Sequence, residues 1–397
     1  MIRHCSLAVV IMIMSLTTAA PPAPAQDVKN NAAATEEKLD SPRLAALAKE
    51  IKAGNRAALE AFWLELKDKA PLVETIDGDE KRLWVTYAWR GDSEAKRVDM
   101  LGGLPAGDDF TKPLARLLDT DLWYRTERLP NDARFTYTFA VNFTKPAPGD
   151  KDATMKLLAQ LRRDPFNPRA FAYPPNSTIV ELPAAPPQPW INRLPDAPQG
   201  EIKTQKIMSE ILKEERAIRV YTPPGYDPKG KPCGLLIFFD GEAVPFAIPL
   251  PTILDNLIAK GKIPPMVAVM VNSQTTRSRD LACSEPFADF LAKELVTWVR
   301  GNFNVSADPR QTVVSGFSLG GLAAAYCGLR RPEVFGNVLS QSGSFWYFDG
   351  WTESANLFDR NIFTDSGWLT RQFAKSPRLP LRIFMEVGML EQGIPIN

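Results

Sequence analysis

The sequence predicts a small all-β sandwich followed by an α/β domain, in which helices flank a mostly parallel sheet. Apolar and polar residues alternate in short runs between residues 83 and 141, as they do in strands with one buried face. From Gly200 onward, short β-branched runs alternate with amphipathic segments, which is typical of a parallel sheet. Residues 174–198 contain eight prolines in 25 residues, and they predict an extended linker between the two regions.

The first residues, Met1–Ala25, have the features of an export signal. Arg3 supplies the positive charge, and Leu7–Leu16 is a ten-residue apolar run that is too short to cross a bilayer. An A-x-A-like cleavage site, Ala23–Ala25, precedes Gln26. We therefore expect a soluble periplasmic protein. The alternative is that the run forms a short apolar helix of the fold.

Charge and cysteine content limit the kinds of partner. Removal of the export signal leaves equal numbers of basic and acidic residues, 46 of each, so we expect neither nucleic-acid binding nor a membrane span. The three remaining cysteines are an odd number, which leaves at least one thiol unpaired, and their spacing is not that of a metal site: Cys233, Cys283 and Cys327. We therefore expect no metal site.

The segment at residues 26–70 predicts a polar lead-in followed by two helices. Ser41 before Pro42 is a typical helix start, because serine caps the helix and proline suits its first position. Leu59, Phe62 and Trp63 continue one apolar helical face in the second helix. The β sandwich is expected at residues 71–173.

The α/β domain is expected at residues 199–397. Its predicted strands are residues 217–221, 234–239, 266–271, 312–314, 337–340 and 381–386. Its predicted helices include residues 252–260, 287–299 and 321–331. Because ligands of parallel sheets bind at the carboxyl ends of the strands, the residues that follow these strands are the candidates for a site.

Residues Gly316–Gly320, with the sequence GFSLG, join a predicted strand to a predicted helix. This is the context of a nucleophile elbow, and it predicts that the α/β domain has the α/β hydrolase fold with Ser318 as the catalytic nucleophile. The backbone N–H groups of Leu319 and Gly241 are the predicted oxyanion hole. The alternatives are a small-residue turn with a solvated serine, and an ordinary strand-ending turn at Asp240-Gly241.

A serine nucleophile also needs an acid and a base. Glu391, which follows the last predicted strand, is the predicted acid, and Glu386 is the substitute for it. The base should be a histidine after the acid, but the single histidine is His4, and the sequence ends at Asn397. We therefore expect a domain that lacks its last strand and helix together with its base.

Nine stretches of the sequence resemble the enterochelin (ferric enterobactin) esterases that carry an N-terminal substrate-binding domain. They extend over most of the chain: Val85–Gly91, Leu118–Thr126, Asp164–Pro168, Val220–Tyr226, Phe239–Gly241, Arg277–Cys283, Glu294-Leu295, Gly316–Gly321 and Phe335–Trp346. The resemblance implies hydrolysis of the seryl ester bonds of a ferric catecholate siderophore. The iron would enter with the substrate, and no cofactor is implied.

The resemblance also implies substrate-binding residues, for which we take Arg277, Arg279 and Asp240. A ferric catecholate is an anion, and a guanidinium group offers planar contacts to its oxygens. The alternative for each arginine is a structural or surface salt bridge.

The sequence departs from the family at three places. Asp280 stands where the family has glutamate, Ser284 stands where it usually has asparagine, and the histidine-bearing segment of the Gly-Gly-His-Asp type is absent. We therefore expect a truncated and impaired esterase. The other hypotheses are a non-catalytic exported binder of ferric catecholates, and a general carboxylesterase or acyltransferase.

Overall fold

The computed structural model describes residues 39–103, 111–144, 151–171, 176–244, 247–351 and 367–388. The proposed export signal and Glu391 lie outside these ranges. The described residues form two compact units, and the boundary between the units falls between Pro187 and Gln188. Among them, no helix combines the length and the apolar character needed to cross a membrane.

The first unit begins with two helices, α1 (Pro42–Lys52) and α2 (Ala57–Leu66). The predicted cap at Ser41 is confirmed, since its hydroxyl accepts a hydrogen bond from the backbone N–H of Leu44 at 3.1 Å. The apolar faces of both helices are buried against each other and against the neighbouring strands, through Leu44, Leu47, Phe62, Trp63 and Leu66.

Two antiparallel sheets follow these helices in the described part of the unit. Their strands in chain order are β1 (Leu72–Ile76), β2 (Asp79–Arg90), β3 (Val98–Gly102), β4 (Thr111–Pro113), β5 (Ala115–Arg116), β6 (Leu122–Pro130), β7 (Arg134–Val141), β8 (Ala170–Phe171) and β9 (Ser177–Glu181). The first sheet has the order β1-β2-β6-β5, and the second has the order β4-β3-β7-β9-β8. Helix α3 (Lys151–Gln160) lies between β7 and β8 in the chain.

The two sheets form the predicted β sandwich. Val85 and Tyr87 of the first sheet share one buried cluster with Met100 and Phe139 of the second, as the inner faces of a sandwich do. The assignment of the whole of residues 174–198 to a linker is wrong at β9. The prolines on both sides made this strand unrecognisable in the sequence, although its Val180 is buried in the cluster between the two sheets.

The second unit contains a seven-stranded mixed sheet within the described residues. Its strands are β10 (Glu201–Ser209), β11 (Glu214–Thr222), β12 (Gly234–Phe238), β13 (Met266–Val271), β14 (Thr312–Phe317), β15 (Asn337–Gln341) and β16 (Arg382–Glu386). The order is β10-β11-β13-β12-β14-β15-β16. Strand β10 pairs antiparallel with β11, and β11 pairs antiparallel with β13. The pairs β13-β12, β12-β14, β14-β15 and β15-β16 are parallel. The α/β fold class is confirmed.

Helices cover both faces of this sheet. They are α4 (Leu250–Ala259), α5 (Arg277–Leu281), α6 (Glu285–Asp289), α7 (Val296–Asn302), α8 (Leu319–Arg330) and α9 (Trp368–Lys375), and a π-helical segment, Phe290–Leu295, joins α6 to α7. On strand β13, Val267 and Val269 face the cluster beneath α6 to α8, whereas Ala268 and Met270 face α4. Burial on both faces explains why the central strands are continuous apolar runs.

Candidate active site

Ser318 occupies the sharp turn between β14 and α8. Its backbone has φ 57° and ψ −126°, a conformation that a residue with a side chain adopts only at a cost in energy. The same residue precedes the first turn of α8, so the helix begins directly behind the hydroxyl. This strained strand-to-helix turn is the local geometry that the GFSLG sequence predicts.

The glycines around Ser318 are required by close backbone contacts. A Cβ atom on Gly316 would lie 2.7 Å from the carbonyl carbon of Gly320, which is closer than real Cβ atoms come to a backbone atom. A Cβ atom on Gly321 would lie 2.9 Å from the Ser340 hydroxyl oxygen and 3.0 Å from the Gln341 carbonyl oxygen. The strand, the turn and the helix can therefore approach each other only with glycine at these positions.

The last residue of β15 and the segment after it fix the backbone of the candidate nucleophile. The N–H of Ser318 donates to the carbonyl of Gln341 at 3.0 Å, and the N–H of Ser344 donates to the carbonyl of Ser318 at 3.0 Å. The hydroxyl oxygens of Ser318 and Ser344 lie 3.4 Å apart. Ser318 is half-buried, and Ser344 is 3% exposed. Ser344 was not among the site residues predicted from the sequence. Its place in the stretch Phe335–Trp346 was the available signal.

The loop after β12 lies beside this turn. Asp240 has the left-handed backbone angles φ 54° and ψ 43°, and the 3₁₀ turn Gly241–Ala243 follows. A Cβ atom on Gly241 would be 2.8 Å from the backbone of Met270, so only glycine fits there. A Cβ atom on Gly320, in the first turn of α8, would lie 3.4 Å from a carboxylate oxygen of Asp240. Asp240 and Ser318 therefore lie at the same end of the sheet, and Gly241 and Leu319 directly follow them in the chain. That the N–H groups of Gly241 and Leu319 form the oxyanion hole stays a prediction.

Arg277 and Asp240 form a buried ion pair. The Nε and Nη2 atoms of Arg277 donate to the two carboxylate oxygens of Asp240 at 2.8 Å each, and both residues are less than 10% exposed. The charge of Arg277 is therefore already matched, and its contact to the Asp240 loop supports a role in positioning Gly241. Direct contact of either side chain with substrate stays a prediction.

Arg279 is half-exposed and pairs with other carboxylates. It binds Glu214 and Asp280, and the hydrogen bond with Glu214 raises the pKa of Arg279. Asp280 is 1% exposed, accepts from the Thr276 hydroxyl at 2.6 Å and lies 2.8 Å from the Arg216 guanidinium. The shorter carboxylate at position 280 is thus fully used in a network that anchors α5.

The structure describes only one of the two predicted acids, Glu386. Glu391 lies outside the described residues. Glu386, at the end of β16, accepts a hydrogen bond from the Gln341 side chain, and its backbone carbonyl accepts from the N–H of Ser342 at 2.7 Å. Glu386 therefore lies at the end of β16, and β15 separates that strand from β14, whose end carries Ser318. Within the described ranges, no group of three or more metal-binding side chains is found.

Two family profiles match the chain. The profile described as "Enterochelin esterase, N-terminal" matches residues 84–191, which contain most of the β sandwich. The profile described as "Putative esterase" matches residues 209–395, which contain the mixed sheet and Ser318. The two matches follow each other in the order expected from the sequence.

Similar proteins carry both regions. An iron(III) enterobactin esterase of Dickeya dadantii is 31% identical over 371 residues, which are 85% of this chain and 83% of that protein. One of Escherichia coli (strain CFT073) is 32% identical, over 66% of this chain and 70% of that protein. A crystal structure of the enterobactin esterase from Shigella flexneri in the presence of enterobactin has a TM-score of 0.66 and 28% identity, covering 84% of this chain and 86% of that one. The chain belongs to the enterochelin esterase family.

Proposed function

We propose that this protein is a serine esterase that hydrolyses the ester bonds of a ferric catecholate siderophore of the enterobactin type and thereby releases its iron. The observation that carries the proposal is the strained turn at Ser318, which presents a hydroxyl at the carboxyl end of a parallel strand and at the start of a helix. The names of the relatives, and the structure solved in the presence of enterobactin, support the choice of substrate.

The chemistry follows from this placement. The Ser318 oxygen attacks the ester carbonyl, its proton passes to a base, and the carbonyl oxygen becomes an anion. The N–H groups of Leu319 and Gly241 would stabilise that anion. Collapse of the adduct releases the alcohol and leaves an acyl-serine, which water hydrolyses to a carboxylic acid and free Ser318.

The base of a serine esterase is expected to be a histidine that follows the acid, and residues 392–397 contain no histidine. The sequence contains one histidine, His4, in the proposed export signal. A carboxylate such as Glu391 is a weak base at neutral pH, since its ordinary pKa is about 4.3. A serine esterase without a base keeps roughly 10³- to 10⁴-fold acceleration over water from the oxyanion hole and binding. We propose that the 397 residues bind substrate and turn it over slowly.

The test compares three proteins in one assay, the conversion of ferric enterobactin to its linear trimer and monomers. They are the 397-residue chain, its Ser318→Ala variant, and the chain extended by a family-like segment of the Gly-Gly-His-Asp type. We expect turnover of about 1 s⁻¹ or faster, the ordinary enzyme range, only from the extended chain. The same rate from the 397-residue chain would show that another group serves as base. No hydrolysis by any of them would refute the esterase proposal.

A non-catalytic binder is the second candidate, and the absence of histidine from residues 5–397 favours it. Such a binder would have the same affinity for ferric enterobactin with and without Ser318→Ala. Extension of the chain by the histidine-bearing segment would not produce turnover. A general carboxylesterase would instead cleave a p-nitrophenyl ester faster than the siderophore once extended. Because an anionic substrate is held partly by charge, its affinity should fall as salt is added.

We also propose that the protein acts in the periplasm. The charge, apolar run and cleavage site of residues 1–25 support export. In that compartment the iron would arrive as part of the siderophore, so the protein itself would need no resident metal.

A further inference from the structure

Strand β16 leaves an apolar edge on the mixed sheet. It is the last strand in the sheet order within the described residues. All five of its residues are exposed, although three of them are large and apolar. The exposed fractions are 43% for Ile383, 62% for Phe384 and 49% for Met385. Folded proteins usually protect such an edge, because its backbone groups can pair with another strand.

Hydrogen bonds to Gly336 and Ser342, the residues directly before and after β15, show which backbone groups of β16 point outward. The N–H of Arg382 donates to the Gly336 carbonyl at 3.0 Å, and the Glu386 carbonyl accepts from the N–H of Ser342 at 2.7 Å. The backbone groups of residues 382, 384 and 386 therefore face β15. Since successive residues of a strand point to opposite sides, the N–H and C=O groups of Ile383 and Met385 point to the open edge.

The sequence of β16, Arg-Ile-Phe-Met-Glu, is complementary to itself when reversed. In an antiparallel pair with a two-fold axis at Phe384, this residue faces its own copy. Ile383 then faces Met385 of the second copy, and Arg382 faces Glu386 of the second copy. We propose that β16 pairs with β16 of a second copy of this chain, so that two sheets join into one across a two-fold axis.

The directions of the backbone groups fit this register. Ile383 and Met385, whose N–H and C=O groups point outward, become hydrogen-bonded pairs on either side of the axis. Arg382 and Glu386 become non-hydrogen-bonded pairs, in which side chains lie closer together, with Cα atoms about 4.5 Å apart. Opposite charges at such positions stabilise the pairing, and like charges destabilise it. A two-fold axis supplies two of these ion pairs.

Strand β10, at the other edge of the sheet, provides a matched comparison. Reversal of Glu201–Ser209 about its centre places Lys203 opposite Ile207 and Lys206 opposite Thr204, so no opposite charges meet. Lysines on an edge strand also oppose pairing with another chain. In the register centred on Gln205, β10 therefore lacks the paired opposite charges that β16 offers to its own copy.

The first experiment tests the register by exchanging charges. The full chain and its variants are compared by sedimentation equilibrium between about 1 and 100 µM. We expect a dimer whose dissociation constant rises at least about tenfold in Arg382→Glu and in Glu386→Arg, since each places like charges opposite one another twice. The double variant should return to the dissociation constant of the unmodified chain. A monomer at all concentrations, or single variants with unchanged dissociation, would overturn the proposal.

The second experiment locates the contact. Phe384→Cys should form an intermolecular disulfide on mild oxidation, because Cα atoms about 4.5 Å apart suit such a bond. Ile202→Cys on β10, which is 49% exposed, is the control and should stay unlinked. Equal cross-linking of both variants would refute a specific contact. Slow hydrogen exchange of the Ile383 and Met385 amides in a monomer would show that another segment of the same chain covers the edge, and would also refute it.

Discussion

The Arg277–Asp240 pair allows a decisive test of what this arginine does. Arg277→Ala removes two charge-assisted hydrogen bonds of 2.8 Å and leaves the Asp240 carboxylate, which is 4% exposed, without its guanidinium partner. Breaking a buried ion pair in this way costs about 3–5 kcal/mol, because the remaining charge is buried without compensation. We expect a loss of unfolding free energy of this size.

The measurement must isolate the second unit, because a protein of two units need not unfold in one step. Urea unfolding is therefore followed by hydrogen exchange of the β12 and β14 amides. Asp240→Ala combined with Arg277→Ala leaves neither charge unpaired, so it should cost less than the two single variants together. We expect a coupling energy of about 2–3 kcal/mol. Arg277→Lys keeps the charge but loses the two-point contact, so it should be intermediate.

A direct role of Arg277 in binding the siderophore would give a different pair of results for affinity and stability. If Arg277 contacts the siderophore, Arg277→Ala should weaken binding of the ferric siderophore by about 1–3 kcal/mol while stability changes little. A loss of stability below about 1 kcal/mol, together with such a loss of affinity, would refute the positioning role inferred from the structure.

Three further predictions concern the elbow, the sandwich and the chain start. Gly316→Ala should lower the unfolding free energy of the second unit by about 1–3 kcal/mol, measured by urea unfolding. The control Gly301→Ala, in α7 with nothing within 4 Å of the added methyl group, should not. Burial raises the pKa of Asp164 to about 6, so the first unit should lose up to about 3 kcal/mol as pH rises from 4 to 7. Asp164→Asn should remove this trend in unfolding measured at each pH; an unchanged trend would contradict it. N-terminal sequencing of the expressed protein should begin at Gln26, and a start at Met1 or Ile2 would disprove export processing.

The parts of the fold that the sequence predicted are those determined by local patterns. The apolar run of β13 matches the predicted strand residue for residue, because burial on both faces requires continuous apolar side chains. The turn at Ser318 was predictable for a similar reason. Its strain requires glycine at fixed spacing, and that spacing is visible without any knowledge of distant residues.

The parts that the sequence did not predict depend on contacts between distant residues. Arg277 and Asp240 are 37 positions apart, and each looked like a ligand-binding residue when considered alone. Ser344 reaches Ser318 across 26 positions through the segment after β15. Strand β9 was hidden by its flanking prolines, although it pairs with β7 in the centre of a sheet. Local propensity gives no information about such partners.

The contacts around Ser318 also bear on how activity could be obtained. Its backbone strain, on the order of 1–3 kcal/mol, is balanced by hydrogen bonds with Gln341 and Ser344 and by the glycines on either side of the turn. These residues belong to β14, α8, the end of β15 and the segment after it, all within the described residues. Ser318 is therefore positioned without any contribution from a base. For this reason a histidine supplied by an added segment should raise turnover without rebuilding the elbow, and Ser318→Ala in the extended chain should abolish that gain.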